Sequence, residues 1–98
     1  MSWKTKEFKQ AIDTLFKKKP IEKTVLKAVE ELNELSLVLV QLLTKPETVT
    51  VEDITEEIAD VEQNLYLLKK HFPVSQEMRN AKTDKLLKSK SYLNYLNK

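Results

Sequence analysis

The residues of this chain able to do chemistry are its carboxylates, and their spacing is uneven. Glu30, Glu31 and Glu34 sit together inside KAVEELNELSLVLVQLL (27–43), one of the most apolar stretches of the sequence. Glu57 and Asp60 follow inside ITEEIADVEQNLYLL (54–68). On a helix of about 100° per residue, the three glutamates share one polar strip, about 100° wide, with Lys27, Val38 and Gln41. The apolar residues of that helix take the remaining arc of roughly 220°. On the next helix Asp53, Glu57, Asp60, Asn64 and His71 fall within about 60° of one another, beside an apolar stripe. Glu57 and Asp60, three residues apart, project from one face. If the two helices pack antiparallel, Glu31 and Glu34 face Glu57 and Asp60 across the groove between them.

Four carboxylates meeting in a low dielectric repel strongly. Protonation, a lysine or a cation must offset that repulsion. The cluster holds neither histidine nor cysteine, and rigid helices present only hard oxygen donors. Such a set favours Mg²⁺ or Mn²⁺ over zinc. Magnesium held by carboxylates keeps several waters and bridges to phosphate oxygens, which points to phosphate-ester or anhydride chemistry. Glutamate is a good helix former, so EExxE alone describes many solvated helices. The weight rests on the two motifs occurring together, each beside a long apolar stripe.

The elements that position these residues read as helices throughout. Phe8, Ile12, Leu15 and Phe16 recur at helical spacing and predict a first helix from about Lys4 to Lys18, ended by Pro20. A second runs from Ile21 or Glu22 to Thr44, stopped by Pro46. Residues 47–50 read as a short loop, with Thr50 as the N-cap of the third helix and Asp53 as its acidic partner. That helix runs from Val51 to Phe72 on the stripe Ile54, Ile58, Val61, Leu65, Leu68 and Phe72, and Pro73 ends it. Ser75 caps a fourth helix carrying Met78, Ala81, Leu86 and Leu93, the weakest pattern of the set. The tail SYLNYLNK reads as a frayed helix or a separate arm.

Composition narrows the class. The 98 residues suit one domain and include no glycine and no cysteine. Without glycine, phosphate sites built on glycine-rich loops are excluded. Without cysteine there is no disulfide, thiolate zinc site or thiol nucleophile, which suits the cytoplasm. The N-terminal MSWKTKEFKQ lacks an apolar signal core, and Leu35 to Leu43 is too short to span a bilayer. A net charge of +2 gives no obvious nucleic-acid binder, although lysines cluster at 17–19 and 82–90. The expected fold is all-α, a four-helix-type bundle. One neighbour cannot cover the 220° or so of apolar surface on the second helix, so a homo-oligomer, dimer or dimer of dimers, is expected.

Glu30-Glu31-x-x-Glu34 followed by Glu57-x-x-Asp60 resembles the EExxE…ExxD signature of the all-α nucleoside triphosphate pyrophosphohydrolases. The chain looks most like the short, stand-alone MazG-like members, over roughly residues 8 to 90. The resemblance implies that Glu31, Glu34, Glu57 and Asp60 ligate Mg²⁺, with Mn²⁺ as the other candidate. It implies that Glu30 orients the attacking water or holds a second metal. The reaction implied is hydrolysis of a (d)NTP between its α and β phosphates, giving the monophosphate and pyrophosphate. Members often carry a Lys…Asn…Arg pattern after the second motif helix. Here KTDKLLKSKSYL offers Lys82, Lys85, Lys88 and Lys90 without the asparagine or arginine. The SYTA-like segment of the phosphoribosyl-ATP branch is absent.

For the substrate, Asn64 is one turn beyond Asp60 on the same edge and is expected to contact it. Trp3 lies off the apolar stripe of the first helix and is a candidate base-stacking residue. Phe8 and Phe16 read as core. His71 lies nearly three turns from Asp60, roughly 16 Å along the axis, and reads as a surface or capping residue rather than a catalyst. A competing reading is a non-catalytic helical oligomer that binds a protein, a nucleic acid or a nucleotide.

Overall fold

Local chemistry sets the starts of three helices, at Ile21, Val51 and Gln76. The computed structural model describes residues 5–96, and among them the chain forms five α-helices and one 3₁₀ turn. They are α1 (Thr5–Lys18), α2 (Ile21–Thr44), the turn Pro46–Thr48, α3 (Val51–His71), α4 (Gln76–Leu87) and α5 (Lys90–Leu96). Pro20 takes the N-cap of α2 with φ −58°, the value its ring imposes. Pro46 opens a 3₁₀ turn where the sequence suggested irregular loop, and the Thr48 hydroxyl donates to the Lys45 carbonyl at 2.7 Å. Thr50 and Asp53 close a capping box. The Asp53 amide donates to Thr50 Oγ1 at 3.0 Å, and the Thr50 amide donates to Asp53 Oδ2 at 2.9 Å. Asp53 is therefore engaged in starting α3 and does not join the other acids. Ser75 Oγ caps α4 by accepting from the Met78 amide at 3.0 Å.

The box yields a direct expectation. Thr50→Ala removes a cap worth about 1 kcal/mol. For a domain of this size that lowers the melting temperature by roughly 4–8 °C in a thermal scan followed by circular dichroism. An unchanged midpoint would show that α3 starts without the box.

α2 and α3, joined by the short turn, form an antiparallel hairpin that is the main packing unit. α1 lies against α3. Phe8 meets Tyr66 edge-on at 5.1 Å, Phe16 lies 4.7 Å from the His71 ring, and Lys70 Nζ reaches Asp13 at 3.8 Å. Ile12, Ala28, Val61 and Leu67 form the buried apolar core, with Thr24 and Glu31 buried beside them. α4 packs chiefly on α5. The four-helix-type packing expected from the sequence thus lacks its fourth wall within one chain, because α4 carries too little apolar surface to fold back. Phe16, expected in the core, is 40% exposed for the same reason. Ile58, Leu65 and Phe72 of the α3 stripe also remain exposed, since α2 reaches only its other edge. Among the described residues, no helix is long and apolar enough to cross a membrane.

Candidate metal-binding site in the groove between α2 and α3

Glu31 is the centre of the acidic groove. It projects from the buried face of α2 and is only 6% exposed. Its carboxylate groups within 4.8 Å with those of Glu57 and Asp60 on α3. It groups equally with Glu30 and Glu34 on its own helix. Two triads therefore share one buried member. The helical spacing explains both: Glu57 and Asp60 lie one turn apart, as do Glu30 and Glu34, and the hairpin sets the two pairs side by side.

The electrostatics follow from this crowding. Burial pushes the Glu57 carboxyl above the ordinary glutamate value, and the charges of Glu34, Asp60, Glu31 and Glu56 push it further. Among the described residues, Lys27 answers them. Lys27 Nζ lies 3.0 Å from Glu31 Oε1 and 3.5 Å from Glu30 Oε1. Its hydrogen bond to Glu31, and then the charge of Glu30, hold the ammonium above its usual value. Lys27 leaves the far side of the cluster unanswered. Glu31 Oε2 and Glu57 Oε2 are buried with no hydrogen-bond partner. Buried carboxylate oxygens without partners are costly. An all-oxygen donor set with two orphaned oxygens fits a hard divalent cation such as Mg²⁺.

A cleft of about 260 Å³ opens beside the cluster, between α1 and the hairpin. Phe8, Ile12 and Leu67 give it apolar walls, and Lys27, Gln63 and Asn64 its polar ones. Lys27 connects cleft and carboxylates, since it lines the one and pairs with the other. Asn64 is half-buried, oriented by donating from Nδ2 to the Asp60 carbonyl at 2.8 Å.

The five acids singled out in the sequence thus come together, and Asn64 stands next to them. Lys82, Lys85 and Lys88 do not. They are exposed on α4 and its C-cap, on a helix whose packing partner is α5. Trp3 lies outside the described residues. His71 is half-buried between the rings of Phe16 and Phe72, away from the acids. Sequence reasoning placed Lys27 in the polar strip but missed its role; the signal was its spacing of three and four residues from Glu30 and Glu31. Gln63 was missed altogether, because nothing but the position of α1 makes it a cleft residue. Comparison with known proteins returns no matching family model, no matching curated sequence and no matching solved structure.

The raised Glu57 carboxyl sets a pH dependence of the metal-free protein. Between the ordinary and the raised value, the native state binds more protons than the unfolded chain. Stability therefore rises as pH falls from neutral through the raised value and levels off near the ordinary one. Glu57→Gln should raise the neutral-pH melting temperature in the presence of a chelator and flatten its rise on acidification. Melts in chelator from neutral to about pH 5 read both effects; a variant less stable than the parent at neutral pH would refute the repulsion.

Proposed function

We propose that this protein is a divalent-metal-dependent nucleoside triphosphate pyrophosphohydrolase, cleaving a (d)NTP to the monophosphate and pyrophosphate. One observation carries the reading. A buried glutamate, Glu31, is shared by two carboxylate triads, one on α2 alone and one bridging α2 and α3, with buried carboxylate oxygens left unpaired. The EExxE…ExxD spacing supports it independently. Glu31, Glu34, Glu57 and Asp60 would hold Mg²⁺ or Mn²⁺. When bound, the ion supplies charge neutralisation at the phosphates and a bound water of lowered pKa.

The chain's own residues divide the remaining work. Glu30, more than half exposed at the edge of the cluster, would accept the proton of the attacking water. Lys27 answers the negative charge on the cleft side, where phosphate oxygens enter. The cleft takes the nucleoside: Phe8 gives an apolar face, and Gln63 and Asn64 supply hydrogen-bonding edges. In this reading Lys82, Lys85 and Lys88 reach a triphosphate only if α4 changes place or a second chain presents them. The working form is a cytoplasmic homo-oligomer.

The test is a panel of ribo- and deoxynucleoside triphosphates with Mg²⁺, read as pyrophosphate release by folded protein. Release that depends on Mg²⁺ and is lost in Glu34→Gln supports the assignment. No release from any substrate defeats it. The placement of the α4 lysines away from the acids favours one other reading, a module that binds nucleotide without hydrolysing it. Saturable metal and nucleotide binding with no turnover would establish that reading instead.

A further inference from the structure

We infer that the C-terminal end of α3 carries a binding site for a small anionic amphiphile, a molecule with a carboxylate or phosphate head and a medium-length hydrocarbon tail. Its lining residues are distinct from those of the acidic cluster and of the cleft beside it, so the inference stands apart from the proposed reaction.

Two recesses meet there. The first, of about 470 Å³, is walled by Leu65, Leu68, Phe72 and Val74, with Lys69 at its rim. The second, of about 270 Å³, is lined by Tyr66, Lys69, Lys70, Pro73, Val74 and Arg79. Lys69 and Val74 line both and join them. The sequence explains the joint. Leu65, Leu68 and Phe72 recur at spacings of three and four on one face of α3. Pro73 ends that helix, and the chain turns so that Val74 closes the hollow. Tyr66, Lys69 and Lys70 take the adjoining face, and the first turn of α4 brings Arg79 to them. Leu65, Phe72 and Val74 stay exposed. An apolar patch rimmed by charge is the mark of a binding surface.

The cations differ in what already engages them. Lys70 Nζ lies 3.8 Å from Asp13, a long, exposed pairing that leaves ammonium donors over. Lys69 Nζ sits 5.3 Å from the centre of the Tyr66 ring, which holds it at the boundary of the two recesses. Arg79 is the single arginine of the chain. Among the described residues, no carboxylate lies within ion-pair distance of its guanidinium. Its planar fork matches two oxygens of a carboxylate or phosphate at once. The nearest carboxylates along α3 and α4, Glu62 and Glu77, line neither recess.

The pair of recesses selects the class of ligand. The four apolar walls of the hollow offer no hydrogen-bonding group. A nucleobase or an extended peptide would bury unmatched polar groups there, and a hydrocarbon tail has none to bury. The adjoining cations require a negative head on the same molecule. An anionic bilayer fits less well. Glu62 is exposed one turn before Leu65 and Tyr66 and would be pressed against the lipid charge.

Titration of the ¹⁵N-labelled full chain with submicellar decanoate, followed by amide NMR shifts, tests the inference. Saturable shifts should centre on residues 65–74 and Arg79. Octanoate, shorter by two methylenes, should bind roughly 5–15-fold more weakly. Decyltrimethylammonium keeps the tail, reverses the head charge and should leave these residues unshifted. Arg79→Glu should weaken decanoate binding at least about tenfold. Leu65→Gln, at a position already 39% exposed, should weaken it as much, and both variants should keep parental helicity. Lys45→Glu, at the opposite end of the hairpin, is the control and should bind as the parent does. Phosphatidylglycerol vesicles at physiological salt should leave the chain in solution. Shifts centred on α2, equal binding of the cationic amphiphile, undiminished binding by Arg79→Glu or loss in Lys45→Glu would each overturn the inference. Vesicle capture that is lost in Arg79→Glu would overturn it in favour of a bilayer. Absence of saturable shifts also overturns it, and self-association lost in Leu65→Gln would then name a second copy as the occupant.

Discussion

Asp60→Asn and Glu31→Gln are each expected to cut pyrophosphate release by about a thousandfold while leaving far-ultraviolet helicity unchanged. The size follows from the work asked of the cluster. Charge stabilisation at a transferring phosphate by a bound divalent ion is worth several kcal/mol, and each 1.36 kcal/mol is about tenfold in rate. Glu31 belongs to both triads, so its loss disables the α2 and α3 ligands together. Asp60 belongs only to the triad that bridges the helices. The two variants should therefore differ in metal dependence. Asp60→Asn should recover part of its rate at high Mn²⁺, and Glu31→Gln should not. Asp60→Asn touches an exposed side chain, and Glu31→Gln gives up the ion pair to Lys27 but keeps the shape of the buried side chain, so retained helicity separates loss of ligation from unfolding. Glu62→Gln, exposed and on the far side of α3, should keep the parental rate. Equal activity of parent, Asp60→Asn and Glu31→Gln would remove the cluster from the reaction.

The features legible in the sequence are those fixed within a few residues. Pro20, Pro46, Thr50 and Ser75 mark helix ends through ring geometry or a single side-chain hydrogen bond, and each does so in the structure. The acidic cluster was legible because helical spacing and one short turn between α2 and α3 suffice to bring Glu31 to Glu57 and Asp60. The apolar arc of α2 was legible too, as a surface larger than one neighbour can cover. What depended on distant packing was not. Phe16 has the spacing of a core residue, yet nothing local says that no fourth helix will come to cover it. Lys82, Lys85 and Lys88 looked like phosphate contacts by order along the chain, but the direction α4 takes after Pro73 is set by what it packs on. Lys27 shows the opposite failure. Its spacing announced an ion pair, and only the burial of Glu31 turns that ordinary helical pair into part of the site.

Saturating Mg²⁺ is expected to raise the melting temperature by roughly 10–20 °C, measured at fixed protein concentration because any self-association also moves it. A ligand that binds only the folded state at a hundred times its dissociation constant adds about 2.7 kcal/mol. A domain of this size shifts by roughly 4–8 °C for each kcal/mol. The metal-free groove gives the ion much to act on. Glu57 is held above the ordinary glutamate value by burial and by Glu34, Asp60 and Glu31, and Lys27 can neutralise only the Glu30–Glu31 side. Glu57→Gln separates repulsion from ligation. Without Mg²⁺ it should melt above the parent, since one crowded, half-buried charge is gone. With Mg²⁺ the order should reverse, since the variant has lost a ligand and gains little. A crossing of the two melting temperatures as Mg²⁺ rises is the signature of a site that is strained when empty and held together by its ion. Parallel curves would mean that the carboxylates are merely crowded, and that Lys27 and solvent already satisfy them.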